Sequence, residues 1–279
     1  MGKRVAFLDY QLENYHANVF LKLYRNQLKD RGATVTGALS LDHASGREWA
    51  TKNEVAYFES AEQLNEQADA YMILAPSNPE LHLELAERII PFGKPVYIDK
   101  TFAPDLATAE RIFALADRHG VALQTTSALR YTAVQAYVRD AKTAPVKHMI
   151  TWGGGRSFGE YAIHPLELLI SCMGPDATRM MRRGTGDLSQ LLVNFTGERT
   201  GIANVYTHTD TPYVASVTTE KETKLVPVVL ETIFLDNAAA VLDLFESGTP
   251  NVDRRETLII RRIMDAAEDP AALEQFVTL

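Results

Sequence analysis

The first 125 residues alternate short apolar runs with amphipathic helical stretches, and that alternation restricts the fold more than any other feature of the chain. Val5–Leu8 is a continuous apolar run, as in a strand covered on both faces. Leu12, Tyr15, Val19 and Leu23 then recur at helical spacing, and Gly32 closes the segment. Val35–Leu41 predicts a second strand, Ala70–Leu74 a third, Pro95–Ile98 a fourth and Val121–Leu123 a fifth. Asn78-Pro79 opens a helix with Leu81, Leu85 and Ile89 inward. Pro104-Asp105 opens another that buries Leu106, Ala109, Phe113 and Ala116 and stops at Gly120. Strands and helices alternating at this length form parallel βαβ units. Residues 1–125 are therefore expected to form an α/β domain with a doubly wound parallel sheet.

Beyond residue 125 the texture changes. Lys147–Trp152, Met180–Arg183, Leu191–Phe195, Ile202–Tyr206 and Val214–Thr218 read as sequential strands separated by turn signals. Helices follow from about Leu230 to Phe245 and from about Glu256 to Ala267. Residues 126–279 are expected to form an α+β domain with a mostly antiparallel open sheet. A chain of 279 residues, 46% of them hydrophobic, can fill two ordinary cores. A net charge of −8 without any Lys/Arg cluster argues against nucleic acid as a partner. The single cysteine, Cys172, excludes an internal disulfide and a cysteine-based zinc site. No apolar run reaches the roughly 18 residues of a membrane span, and the N-terminus enters a strand without a signal-peptide pattern. A soluble cytoplasmic protein is expected.

In open parallel sheets, ligands lie outside the carboxyl ends of the strands. Those ends carry Asp9-Tyr10-Gln11, Asp42, Ala75-Pro76-Ser77-Asn78 and Asp99-Lys100-Thr101. Lys100 is either a rim charge paired with Asp99 or a cation at a reacting centre. In the second half, Glu160-Tyr161-Ala162-Ile163-His164-Pro165-Leu166-Glu167 sets His164 before a proline. That proline predicts extended backbone at His164 and a helix start behind it, with Glu167 one turn inside. The pair either caps the helix and complements its dipole or handles protons. Trp152-Gly153-Gly154-Gly155-Arg156 lacks phosphate-loop spacing and is expected to be a loop that bends near the substrate. His16 and His82 are explained at least as well by packing or capping as by catalysis. The scattered carboxylates, Glu13 among them, show no metal-ligand spacing, so no metal is expected.

The order and spacing of five of these segments resemble the Gfo/Idh/MocA oxidoreductases, the glucose–fructose oxidoreductase and inositol dehydrogenase type, over almost the whole chain. Ala75-Pro-Ser-Asn-Pro-Glu-Leu-His82 resembles the family's passage from the third strand into a helix. Gly93-Lys-Pro-Val-Tyr-Ile-Asp-Lys-Thr101 is similar to its G-K-x-V-x-x-E-K-P block, with Lys100 on the signature lysine. Leu129-Arg130-Tyr131 resembles its arginine–aromatic lead into the second domain. Glu160-x-Ala162-x-His164-x-x-Glu167 follows its D-x-G-x-H-x-x-D motif, and Glu246-Ser-Gly-Thr-Pro250 its penultimate turn.

The resemblance implies a Rossmann domain holding NAD or NADP, lined by Asp9, Tyr10, Gln11, Asp42, Ala75, Pro76 and Asp99. It implies a second domain that contacts a sugar, polyol or related substrate through Arg130, Arg156 and Glu160, with Arg130 alternatively an interdomain ion pair. Lys100 would position the substrate hydroxyl, His164 would act as acid/base, and Glu167 would orient the imidazole or touch substrate. A homo-oligomer, dimer or tetramer, is also implied. The chain departs from the family at the first turn, where the three glycine positions fall on Asp9, Gln11 and Asn14. Glycine there permits a tight turn and close approach of a pyrophosphate, and Asp9 and Glu13 add like charge. Three functions stay open: an NAD(P)-dependent oxidoreductase with an atypical cofactor turn, a cofactor-independent isomerase, epimerase or lyase of the same fold, and a non-catalytic binding protein.

Overall fold

The first strand, β1 (Arg4–Asp9), is buried along five of its six residues and sits inside a parallel sheet. The computed structural model describes residues 2–140 and 142–279. The chain divides into two units, Met1–Thr126 with Phe234–Asp253 and Ser127–Ile233 with Arg254–Leu279.

In the first unit β1 is followed by α1 (Tyr15–Arg25), β2 (Thr34–Ser40), α2 (His43–Lys52), α3 (Ala61–Gln67), β3 (Ala70–Ile73), α4 (His82–Ile89), β4 (Val96–Asp99), α5 (Leu106–Arg118) and β5 (Leu123–Thr126). The strand order is β2-β1-β3-β4-β5, all parallel. Short polar side chains start the helices. Asn14 accepts from Ala17 N–H, Asp42 from Ser45 N–H, Ser60 from Gln63 N–H and Asp105 from Thr108 N–H. Asn78 makes no such cap. Pro79–Leu81 forms a 3-10 turn instead, and the helix proper begins at His82. The core gathers Val5, Phe7, Phe20, Trp49 and Met72, and it draws Val241 and Phe245 from a later helix, Ile233–Ser247. Periodicity shows that this segment is a helix but not which core receives its apolar face.

The second unit contains α6 (Ala133–Arg139), β6 (Val146–Gly155), α7 (Phe158–Tyr161), α8 (Ile163–Met173), β7 (Ala177–Arg183), β8 (Leu188–Phe195), β9 (Thr200–Thr207), β10 (Val214–Thr219) and β11 (Thr223–Pro227). After α9, the helix at Ile233–Ser247, come α10 (Arg254–Glu268), α11 (Ala271–Glu274) and β12 (Val277–Thr278). The sheet order is β11-β10-β6-β9-β8-β7-β12, antiparallel except for the parallel pair β6–β9. Residues of β8 and β10 alternate between buried and half-exposed, so one sheet face is covered and the other is open. Leu188 and Leu225 stand exposed. Among the described residues no helix is long and apolar enough to cross a membrane.

Candidate active site

Parallel packing brings the carboxyl ends of β1, β3 and β4 to one edge of the first sheet. Asp99, the last residue of β4, is buried, and its carboxylate pairs with His16 Nδ1 from the first turn of α1. It also accepts the Lys100 main-chain N–H at 2.8 Å. Burial works to raise the Asp99 carboxyl, but the His16 and Lys100 charges and these bonds outweigh it and hold it below its usual range. The Lys100 ammonium turns to the Pro76 carbonyl oxygen after β3, 3.1 Å away, while its side chain is almost fully buried. His16, which sequence reasoning set aside, is thus the partner of Asp99.

The turn from β1 to α1 spends its donors on itself. Gln11 N–H donates to Asp9 Oδ1 at 3.1 Å, and Asn14 Nδ2 donates to Asp9 Oδ2 at 2.8 Å. Asn14 N–H donates to the Leu12 carbonyl at 2.8 Å, and Ala17 N–H to Asn14 Oδ1 at 3.0 Å. Gln11 Nε2 crosses to Asp42 Oδ2 at 3.1 Å, so Asp42 holds both this amide and the start of α2. Tyr10 points partly to solvent. Asp9 is only 2% exposed, and burial pushes its carboxyl up to about 7. The Asp9 carboxyl, which would repel a pyrophosphate, thus holds the Gln11 main-chain amide of the turn and the Asn14 side-chain amide. The turn does not fit a dinucleotide held in the glycine-loop manner.

The second unit builds its own cluster around His164. Ser127, directly after β5, sets its hydroxyl 2.8 Å from His164 Nδ1 and receives Leu129 N–H at 3.2 Å. A serine that donates its proton to Nδ1 leaves the imidazole hydrogen on Nε2. His164 is helical, not extended as expected. Pro165 lies in the first turn of α8, where its missing N–H leaves no helical bond unmade. The rings of Tyr161 and Tyr213 meet the imidazole edge-on, with centroids 5.6 and 5.8 Å away. The triple glycine makes room for them from within β6, so it is part of a strand and not a bending loop. A Cβ on Gly155 would lie 2.0 Å from the Tyr161 ring, and one on Gly153 would lie 2.7 Å from that of Tyr213. Arg156 follows β6 exposed, and Glu160 lies half-buried in α7.

Arg130 is not presented as a substrate anchor. Its buried guanidinium pairs with Glu167 and with Glu256 of α10, and Glu167 Oε2 also accepts Ser127 N–H at 3.4 Å. Burial raises the Glu167 carboxyl, Arg130 opposes it, and the balance stays above the ordinary value. Glu167 therefore reaches His164 through Ser127. The strand-end rule, extended to the fifth strand, points to Ser127. No sequence signal points to Glu256.

Residues 13–127 match the Gfo/Idh/MocA family, described as an oxidoreductase family with an NAD-binding Rossmann fold. No curated protein matches the chain by sequence. A solved structure described as a probable dehydrogenase from Thermotoga maritima has a TM-score of 0.85 at 15% identity, covering 99% of this chain and 98% of that one. Scyllo-inositol dehydrogenase from Lactobacillus casei gives 0.80 at 13% identity, covering 100% and 99%. UDP-N-acetylglucosamine 3-dehydrogenase from Acidithiobacillus ferrooxidans gives 0.79 at 14% identity, covering 98% of each chain. At these identities the likeness speaks for the fold. Residues 13–127 thus match the Rossmann domain of the Gfo/Idh/MocA oxidoreductases, and the whole chain shares the fold of these dehydrogenase structures.

Proposed function

We propose that this chain is an oxidoreductase acting on a sugar, polyol or related hydroxylated small molecule. In this reading Lys100 receives the hydroxyl oxygen and His164 takes or returns its proton. The observation that carries it is the direction of the Lys100 ammonium. A rim charge neutralised by its neighbour would point at Asp99, but Asp99 holds His16 and the ammonium rests on a main-chain carbonyl. A buried ammonium on a neutral acceptor loses little by turning to an oxygen that gains negative charge, and low polarity strengthens that attraction. His164, with Nδ1 on Ser127, has Nε2 as its proton-handling atom. Glu167 and Arg130 fix Ser127 from behind.

NAD or NADP is the redox partner in this reading. The self-satisfied turn makes its binding at least about tenfold weaker than a glycine turn allows, the factor that 1.4 kcal/mol represents. The same turn favours a second reading, in which Lys100 and His164 run an isomerase, epimerase or lyase reaction without a dinucleotide. Screening sugars, polyols and hydroxy acids with and without NAD(P) separates the two. Lys100→Met should keep the fold and lower turnover at least about a hundredfold, the scale of one lost general-acid or electrostatic group. A folded Lys100→Met variant with full activity would return Lys100 to a structural role.

A further inference from the structure

We infer that His82 is the positioning residue for Lys100: its imidazole ties the segment after β3 to the segment after β4 and so sets where the ammonium stands. The inference rests on the reading of Lys100 as the working cation. His82 is the first residue of α4, and it is 0% exposed. Its Nδ1 lies 2.9 Å from the Phe102 carbonyl oxygen, and its Nε2 lies 2.9 Å from the Ala75 carbonyl oxygen. These carbonyls bracket the lysine. Phe102 stands two residues beyond it, and Ala75 adjoins Pro76, which accepts the ammonium at 3.1 Å.

The two segments are therefore joined twice, inside by the imidazole and at the rim by Lys100 itself. For the ammonium to reach a substrate oxygen the outer tie must open, and the inner one then holds the frame. Both partners are acceptors, and burial favours the neutral ring, which carries one N–H. Donated from Nδ1 to Phe102 it makes the tie, and turning the ring would leave that N–H unpaired where water does not reach. Phe102 is anchored as well, with its ring 4.8 Å from that of Phe113. Packing alone asks for volume, which leucine supplies. The tie asks for ring nitrogens.

Competitive acetylation with acetic anhydride, read lysine by lysine in peptide mass spectra, tests this on the full chain without sugar or dinucleotide. Lys94, which donates to the Asn65 and Ala68 carbonyls at 2.6 and 2.8 Å, serves as the internal reference. His82→Leu should raise Lys100 acetylation relative to Lys94 at least about fivefold, the ratio that one modest hydrogen bond represents. His82→Gln, which keeps an amide donor, should fall between this variant and wild type. Unchanged Lys100 labelling in a folded His82→Leu overturns the inference, and if that variant does not fold, His82→Gln decides by the same criterion. A long-range proton–nitrogen spectrum reads the tie in the wild-type protein. A His82 ring N–H that resists solvent exchange supports it, and a freely exchanging one overturns it. A labelling shift together with undiminished turnover in Lys100→Met would leave the tie standing and remove the catalytic reading of Lys100.

Discussion

Replacing Asp9 by asparagine removes one charge from the β1–α1 turn with almost no change of shape. Burial lifts this carboxyl from 3.8 to about 7. The folded protein therefore binds the proton more tightly than the unfolded chain does, and stability falls as the pH rises through that window. Three pKa units at about 1.4 kcal/mol each set an upper bound of about 4 kcal/mol on the loss, complete above pH 7. Asparagine keeps one of the two bonds from Gln11 N–H and Asn14 Nδ2 and turns its own amide donor toward the other, which takes back about 1–2 kcal/mol. Asp9→Asn should then be more stable than wild type by about 2 kcal/mol at pH 8, and equal to it or slightly weaker at pH 5. Urea unfolding at both pH values, followed by the buried Trp49 in a Trp152→Phe background, measures the difference. A stability difference that does not change between pH 5 and pH 8 would refute the reasoning.

Two further outcomes follow from the second unit. With His164 as the acid/base, turnover should show a pH limb that disappears in His164→Asn, because an amide does not titrate; a surviving limb would assign it to another group. Arg130→Met should destabilise the protein by about 3–5 kcal/mol at pH 8, since it leaves the Glu167 and Glu256 carboxylates facing one another unneutralised. Calorimetry should find the penalty shrinking as the pH falls and the raised Glu167 carboxyl takes up its proton, and a pH-independent penalty would contradict the charge account.

The first domain was legible because buried parallel strands write themselves as apolar runs, and four of the five lie on those runs. The fifth starts only at Leu123, the last residue of Val121–Leu123, and continues through polar Gln124–Thr126. The second sheet was legible only where its strands alternate. Strand β11 escaped because only Val226 of its five residues is buried, so an edge strand left no apolar pattern. The parallel pairing of β6 with β9 also escaped, since pairing between distant segments has no local signature. At the site, Lys100 stood out because it follows a buried strand, whereas its restraint by the Pro76 carbonyl depends on the fold. His16, Ser127 and Glu256 look ordinary in sequence and gain meaning only from the carboxylates and imidazole that they meet. Pro165 misled through a rule of chain interiors, because the first turn of a helix tolerates proline.

Calorimetric titration of NAD, NADH, NADP and NADPH into wild type and Asp9→Gly tests most directly the proposal that this chain binds a dinucleotide with its phosphate turn closed by its own carboxyl. At pH 8 the buried carboxylate is ionised and opposes the pyrophosphate, so wild type should bind weakly. The glycine variant should bind at least about tenfold more tightly. Wild-type affinity should also rise as the pH falls to 6, by up to about tenfold as Asp9 takes up its proton, while the variant shows no such rise. Submicromolar binding by wild type at pH 8 would contradict the account of the turn, and no binding by either protein would remove the nicotinamide reading and leave the cofactor-independent one.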